Sequence, residues 1–498
     1  MATTPPRRQQ NSKDEFRKQK IEVIEDILKQ YSELSSSPNS RKNSSTSKNK
    51  PSTLFHSQNS SSTQSSSFRN TTTPPKLSQK AQKTILVNKL RQFCITKYGL
   101  VSTELRRRVW PVIFGIDVTR LPHRPNRTKV RENIWYNQVQ LDVNRSASRM
   151  PANLSADQKE TMQENLSDLI LHILCQNPDL HYYQGYHDIT ITILQVCGLR
   201  LAMPVAERLT RDYLRDFMME TMDRTALVLE FIFPLIKEMD PELYIFLKES
   251  EVGSYFALSW LLTWYGHVIK DLKRTCRIYD FFMAGHPTMP MYLAAEIILH
   301  RREEILSTDC DMPSVHHLLT SLANVQLPDD ELIQNAVLVF IEKPPSGLVD
   351  ENDELRFYKD LFMANHQEYC PDLFDSLESS PVNTPNTSKS TESKIASRQD
   401  SNTSLTNPKP FKHVQTDSRS FITQRREYLS TKETPWFKAY RQRTGLSTSE
   451  DHPRKRSFGQ KLGRFFSFAS AGAVFVAVAG FWVQVGWVKV LKIMKCCV

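Results

Sequence analysis

Between His181 and Ile189 the chain reads HYYQGYHDI, which places two histidines, three tyrosines, a glutamine and an aspartate at the head of an apolar run. Side chains of these types admit a metal site, an acid–base site, or a hydrogen-bonded entrance to a helix. Metal ligation needs ligands on one helix face or one turn, as HExxH and CxxC spacings provide. His181 and His187 are six apart, and Cys310, Asp311, His316 and His317 follow no such spacing. No metal is expected. There is no GxSxG, and no cysteine has a recognisable catalytic setting. The phosphate-cradling patterns GxxxxGK[ST] and GxGxxG are also missing from the sequence. Gln184 stands out because a primary amide offers both a donor and an acceptor without any shift in pKa.

The elements that position this stretch follow from composition. Residues 1–80 carry 14 Lys and Arg against 6 Asp and Glu, and residues 389–498 carry 20 against 7. The remainder, 31 against 41, is acidic, although the whole chain has a net charge of +11. A nucleic-acid reader needs its positive patch on the folded module, so no nucleic-acid partner is expected. Basic ends suit an anionic membrane surface or solubility. The six cysteines before residue 371 are scattered, which fits a reduced domain and not a disulfide framework. MATTPPRRQQ contains no apolar core of the kind a signal peptide has.

Ser, Thr, Asn, Pro and Lys dominate Ser35–Lys80, and Ser376–Ser449 is similar. Such segments bury too little apolar surface to offset the entropy of ordering. The expected organisation has five parts. Residues 1–81 are mostly disordered, with a helix at 14–34 marked by the stripe Ile21, Ile24, Leu28, Tyr31 and Leu34. Residues 82–373 form one folded domain. Residues 374–464 are a disordered basic linker, residues 465–488 a transmembrane anchor, and residues 489–498 a short basic tail. The anchor, FFSFASAGAVFVAVAGFWVQVGWV, runs 24 residues without a charge. As a helix it would extend about 36 Å, enough for a hydrocarbon core of about 30 Å. A single span and a returning hairpin both fit. Val252–Ile269 is also uncharged, but its Ser, Thr and His and its place in mid-domain point to a buried core helix.

Helical periodicity dominates the domain. Met162, Leu166, Leu169, Ile170, Ile173 and Leu174 share a stripe that ends before Pro178. Asp329 or Asp330 is expected to cap a helix running to Ile341, and Thr225–Met239, kinked at Pro234, Tyr255–Ile269 and Tyr292–Leu306 read as helices. Alternating strands are nearly absent. The fold class is all-α.

Three motifs occur in order: RxxxW at Arg106 and Trp110 within LRRRVWPVIFG, VQLDVNR at Val139–Arg145 fitting IxxDxxR, and YYQG at Tyr182–Gly185, followed by Asp188. In that order they resemble the TBC domain of Rab GTPase-activating proteins over roughly residues 85–370. RIYDFFMAGHP, Arg277–Pro287, is similar to a later helix of that family. LDVNRSASRMP departs from the commoner DVxRTxP. The resemblance implies a multi-helix TBC domain that supplies Arg145 as an arginine finger and Gln184 as a water-orienting glutamine finger to a GTP-bound Rab. It implies packing and shaping roles for Arg106, Trp110, Tyr182, Gly185 and Asp188, and for Asp142 either support of the finger or the capping of a turn. No cofactor of the chain's own is implied, because GTP and Mg2+ are bound by the Rab. HYYQGYHDI, ALSWLLTWYGH, CDMPSVHHLL and the apolar tail resemble an endoplasmic-reticulum-anchored branch of the family. This implies Rab-one as partner, tail anchoring in the endoplasmic reticulum membrane with the domain in the cytosol, the early Golgi as an alternative location, and a role in transport to the Golgi. The alternatives are a non-catalytic membrane-anchored Rab-binding scaffold and a membrane-shaping protein.

Overall fold

The computed structural model describes residues 7–36, 77–324, 326–349 and 420–445. Met1–Arg91 and Gln92–Val498 form separate compact units. The described residues contain helices and turns and no strand. In chain order the α-helices are α1 (Arg7–Ser36), α2 (Gln79–Ile95), α3 (Thr103–Ile113), α4 (Arg127–Arg131), α5 (Tyr136–Arg145), α6 (Ala156–Gln176), α7 (Tyr186–Cys197) and α8 (Leu199–Leu209). They continue with α9 (Asp223–Glu230), α10 (Ile232–Met239), α11 (Pro241–Glu249), α12 (Leu258–Leu262), α13 (Leu272–Ala284) and α14 (Met289–His300). The last are α15 (Arg302–Leu306), α16 (Met312–Thr320), α17 (Asp329–Glu342), α18 (Pro345–Val349), α19 (Phe421–Ser430) and α20 (Pro435–Thr444).

In the first unit α1 buries Ile24 and Leu28 of the stripe, leaves Ile21, Tyr31 and Leu34 half-buried, and runs from Arg7 to Ser36. In the second unit α6 begins where its sequence allows. Ser155 accepts from the Gln158 N–H, and the Gln158 side chain accepts from the Ser155 N–H. That capping box satisfies two otherwise unpaired backbone donors. The apolar stripe of α6 is buried from Leu166 to Leu174, against α5, α7 and α8.

Several expected helices are broken, and each break has a cause. Thr225–Met239 divides at Phe231 into α9 and α10, because the ring of Pro234 opposes the carbonyl of residue 230 and offers no N–H. Tyr292–Leu306 divides at Arg301, where buried Arg302 turns to pair with Asp240, at 2.7 Å, and with Glu242. Asp329 and Asp330 do not cap α17. Asp329 holds Arg274 at 2.7 Å, while Asp330 accepts from Arg277 at 2.7 Å and from the Tyr98 N–H.

Val252–Ile269 is core, as expected, but it is not one helix. A 3-10 turn (Tyr255–Ala257) leads into the short α12, after which Trp264 and Tyr265 adopt φ of 45° and 63°. The Tyr265 N–H reaches five residues back to the Trp260 carbonyl at 2.7 Å. Trp260, Trp264 and Tyr265 are fully buried and pack on Phe256, Tyr279 and Phe282. Positive φ at two bulky residues is costly and persists only where packing enforces it.

The expected basic linker over 374–464 contains α19 and α20, both packed on the body. Glu342 of α17 accepts from Ser420 Oγ and from the N–H groups of Phe421 and Ile422, so that a remote carboxylate caps the start of α19. Arg425 makes a two-pronged pair with the fully buried Glu296 of α14. Glu242 accepts from the Thr434 N–H at 3.0 Å, Phe437 is buried, and Trp436 meets Phe246 edge-on at 4.9 Å. Local composition gave no sign of this docking because the carboxylates that receive the segment lie more than 70 residues away in the chain. The expected anchor, 465–488, lies outside the described residues, as do the tail 489–498 and positions 350–373 of the expected domain. Among the described residues no helix is long and apolar enough to cross a membrane.

Removing one member of a buried ion pair leaves the other charge unpaired, at a cost of about 3–5 kcal/mol. Urea denaturation of Arg425→Ala should show a loss in that range, and adding Glu296→Gln should restore part of it. A loss below about 1 kcal/mol would mean that Glu296 is rehydrated at little cost.

Candidate functional site

Helix α5 buries Val139, Asp142 and Val143 and leaves Arg145 at its exposed C-terminal end. A cation is favoured there by the helix dipole. Arg145 Nη1 lies 3.4 Å from Asp142 Oδ1, one turn earlier, with the arginine side chain 54% exposed and the carboxylate 0%. The second oxygen of Asp142 accepts from the Tyr182 hydroxyl at 2.9 Å. Tyr182 stands two residues before Gln184, so one carboxylate joins the end of α5 to the turn that carries the glutamine. Two residues of chain span at most about 7 Å, which keeps Arg145 and Gln184 in one neighbourhood. The Trp135 ring reinforces the junction by meeting His181 edge-on at 5.6 Å.

Gln184 is half-buried in the turn before α7 and makes no side-chain hydrogen bond among the described residues. Gly185 follows with φ of +108°, and a Cβ there would sit 2.9 Å from Thr263 Cγ2. Backbone conformation and close approach both require glycine at this point. Thr263 begins the contorted stretch after α12, which also supplies His267 to the site. The irregularity that broke the expected helix therefore bears on the glutamine turn.

Behind this surface lies a charged cluster only partly visible in the sequence. Asp188 faces Arg149 Nε at 3.6 Å and His267 Nδ1 at 3.3 Å. Burial works to raise the Asp188 pKa, but the His267 hydrogen bond and the charges of His187 and Arg149 prevail and hold it low. Arg149 also donates to the Ile269 carbonyl and to Thr192 Oγ1. His187 lies between the carboxylates, 3.9 Å from both Asp142 and Asp188, and its Nδ1 makes no hydrogen bond among the described residues. Burial pushes the His187 pKa down against the pull of Asp188 and Asp142. For Asp142 burial raises the pKa and outweighs His187, Tyr182 and Arg145. Arg149 and His267 went unassigned in the sequence reading; the extra stretch SASRMP after Arg145 was the available signal for Arg149.

Arg106 and Trp110 belong to a different network. Arg106 donates to both oxygens of Asp280, at 3.0 and 2.8 Å, Trp110 Nε1 donates at 3.0 Å, and the Leu100 N–H donates as well. These residues fasten α3 to α13, and their route to Gln184 is the packing of α3 against α7. The structure thus groups Asp142, Arg145, Tyr182, Gly185 and Asp188 around Gln184 and places Arg106 and Trp110 elsewhere. Among the described residues no group of three or more His, Cys, Asp or Glu side chains is arranged to hold a metal ion.

Residues 103–306 match the Rab-GTPase-TBC domain. The GTPase-activating protein gyp10 of Schizosaccharomyces pombe is 33% identical over 254 residues, covering 50% of this chain and 68% of that protein. This chain belongs to the Rab-GTPase-TBC family. TBC1 domain family member 20 of Homo sapiens is 47% identical over 262 residues, 53% of this chain and 65% of that protein. The TBC match thus spans just under two thirds of that relative's length. The crystal structure of the Chlamydomonas flagellar RabGAP TBC domain aligns at 16% identity over 51% of this chain and 83% of that one, with a TM-score of 0.39, a likeness too distant to build on.

The TBC site carries two predictions. Gly185→Ala should destabilise the chain by about 2 kcal/mol or more, read by urea denaturation, since strain and contact add; no loss would mean that Thr263 yields freely. The second concerns acid. The unfolded chain protonates His187 near the ordinary value of about 6.5, whereas the folded chain resists to lower pH. Stability should therefore fall as pH drops from 7 through 6, and less steeply in His187→Asn. Asp142 opposes this nearer the carboxylate range, because the folded state binds its proton first. Identical slopes in the two proteins, followed by thermal midpoint, would remove His187 as the cause.

Proposed function

We propose that this chain is a GTPase-activating protein that accelerates GTP hydrolysis by a Rab GTPase, Arg145 and Gln184 acting together. The observation that carries the reading is the Asp142 carboxylate, bonded to Tyr182 and paired with Arg145, which sets an exposed arginine beside a glutamine whose side chain makes no hydrogen bond among the described residues. A Rab hydrolyses GTP slowly because charge developing on the phosphoryl oxygens is incompletely neutralised and the attacking water is loosely held. Arg145 supplies the missing cation. Its planar guanidinium is permanently charged and offers forked donors to phosphate. Gln184 can accept from the water and donate to a neighbouring oxygen, and so orients the nucleophile. GTP and Mg2+ belong to the partner. Asp142 and Tyr182 hold the base of both fingers, with Gly185 setting the turn and Asp188 anchoring the start of α7. Relatives named as GTPase-activating proteins support the assignment.

Rab-one is the substrate we propose, and the endoplasmic reticulum membrane the location. There residues 465–488 would anchor the chain with its domain in the cytosol, acting on transport toward the Golgi. The likeness to TBC1 domain family member 20 and the uncharged run support this.

Single-turnover hydrolysis of GTP bound to purified Rab-one, with and without the full chain, tests the proposal. Acceleration of about 10³–10⁵ is expected, the range an arginine finger supplied in trans provides. It should collapse in both Arg145→Ala and Gln184→Ala. Binding to GTP-loaded Rab-one without acceleration would make the chain a scaffold. No binding, with acceleration of another Rab, would replace the substrate and leave the mechanism standing.

A further inference from the structure

The face of α5 that carries Arg145 also carries an exposed apolar side chain, Leu141, with no role in the core. From residue 92 onward the exposed large hydrophobics among the described residues are Val118, Ile134, Leu141 and Tyr255. Two of the four belong to the ten-residue helix α5 and its lead-in. Leu141 is 52% exposed and Ile134, in the turn before the helix, is 86% exposed. Single exposed apolar residues are ordinary on protein surfaces and need no account. Position distinguishes these two. Leu141 precedes Arg145 by four residues, so the two side chains are neighbours on one helix face, about 6 Å apart at their bases. Asn137 and Asn144, also exposed, flank Leu141 on the same helix.

We infer that Leu141, with Ile134 at its margin, is an apolar anchor through which this chain grips the GTP-bound GTPase. The inference rests on the reading of Arg145 as a finger. For that guanidinium to reach a nucleotide inside the partner, the partner's surface must close around the end of α5. A specific interface covers about 800 Å² on each side, a patch with a radius of about 16 Å. Leu141 lies well inside such a footprint, whichever way the partner is turned about Arg145. Ile134, eleven residues before Arg145, lies about 16 Å away along the helix direction, near the edge. An apolar residue ringed by neutral polar ones near the centre of a contact is the arrangement in which binding energy concentrates. The complementary surface on the GTPase is therefore an apolar patch beside its nucleotide opening. An anchor on the helix of the finger ties affinity to insertion, since gripping Leu141 draws Arg145 inward.

The test uses the full chain and a GTP-loaded Rab that it accelerates, with KM and the saturated hydrolysis rate measured separately. Glutamine is the replacement because it keeps helix propensity, adds no charge next to Arg145 and removes the apolar contact. Leu141→Gln should raise KM roughly tenfold, from the apolar area left uncovered, with the saturated rate changed by less than about twofold. Leu141→Met, which retains the apolar contact, should stay near wild type, and Ile134→Gln should raise KM by a smaller factor. Arg145→Ala provides the contrast, with a loss in the saturated rate. An unchanged KM in Leu141→Gln beside an inactive Arg145→Ala would overturn the anchor and leave the proposed function intact. If Arg145→Ala accelerated as well as wild type, the finger reading would fall and the anchor with it. Far-ultraviolet circular dichroism and thermal midpoint separate these outcomes from misfolding, since both substituted side chains are exposed.

Discussion

The geometry of the site depends on one buried carboxylate. Asp142 has no exposed surface, and a carboxylate removed from water must be bonded or lose its charge. Its two oxygens are answered from different places, one by the hydroxyl of Tyr182 and the other by Arg145 on its own helix. The two holds are unequal. Tyr182 is itself buried, so breaking its bond would strand two polar groups. The Arg145 pair is exposed on one side and long at 3.4 Å, and pairs of that kind contribute about 0–1 kcal/mol. The base of Arg145 is therefore fixed and its tip can leave at little cost. The proposed insertion of Arg145 into a partner would need that asymmetry.

Rigidity beneath Arg145 and Gln184 comes from buried groups. Asp280 receives hydrogen bonds from Arg106, Trp110 and Leu100, which lock α3 and its lead-in to α13. The close turn at Gly99, where a Cβ would meet Asp280 Oδ2 at 2.5 Å, belongs to the same lock. Asp188 does comparable work nearer the site, since Arg149 and His267 bring two further segments to the start of α7. The left-handed residues after α12 belong to this arrangement as well. A regular helix would have carried the chain away from Gly185 and Asp188, whereas the contorted path returns it to them.

What could be read from the sequence divides along physical lines. Periodicity exposed the core face of α6, and the order of three short motifs located Asp142, Arg145, Tyr182, Gln184 and Gly185, because these depend on spacing within a few residues. Features fixed by distant partners were hidden. The aspartates that open α17 resemble helix caps in sequence, yet they serve Arg274 and Arg277, which lie more than 50 residues away. Arg106 and Trp110 recur beside the finger motifs in sequence although their partner is Asp280. Val252–Ile269 has the composition of one buried helix, but composition carries no sign of the reversal at Trp264 and Tyr265. Such a reversal is decided by what the two aromatic rings pack against.

The same division bears on the charge of the chain. An acidic middle and basic ends look, from sequence, like a body that repels an anionic membrane and a tail that seeks one. The helices at 421–444 alter that account. Arg425 neutralises a glutamate that α14 buries completely, and Arg426 bonds the backbone carbonyls of residues 237 and 238. Glu342 and Glu242 are occupied by the backbone donors that open α19 and α20. Part of the acidic excess in the body is thus a set of sockets for the basic segment that follows, and part of the basic excess is internal counter-charge. A buried glutamate in α14 would be costly in a chain that ended at the body. It is tolerable here because a planar, two-pronged arginine arrives from a later stretch of the sequence. Beyond residue 445 the sequence stays basic, in DHPRKR and in the lysines after Trp487.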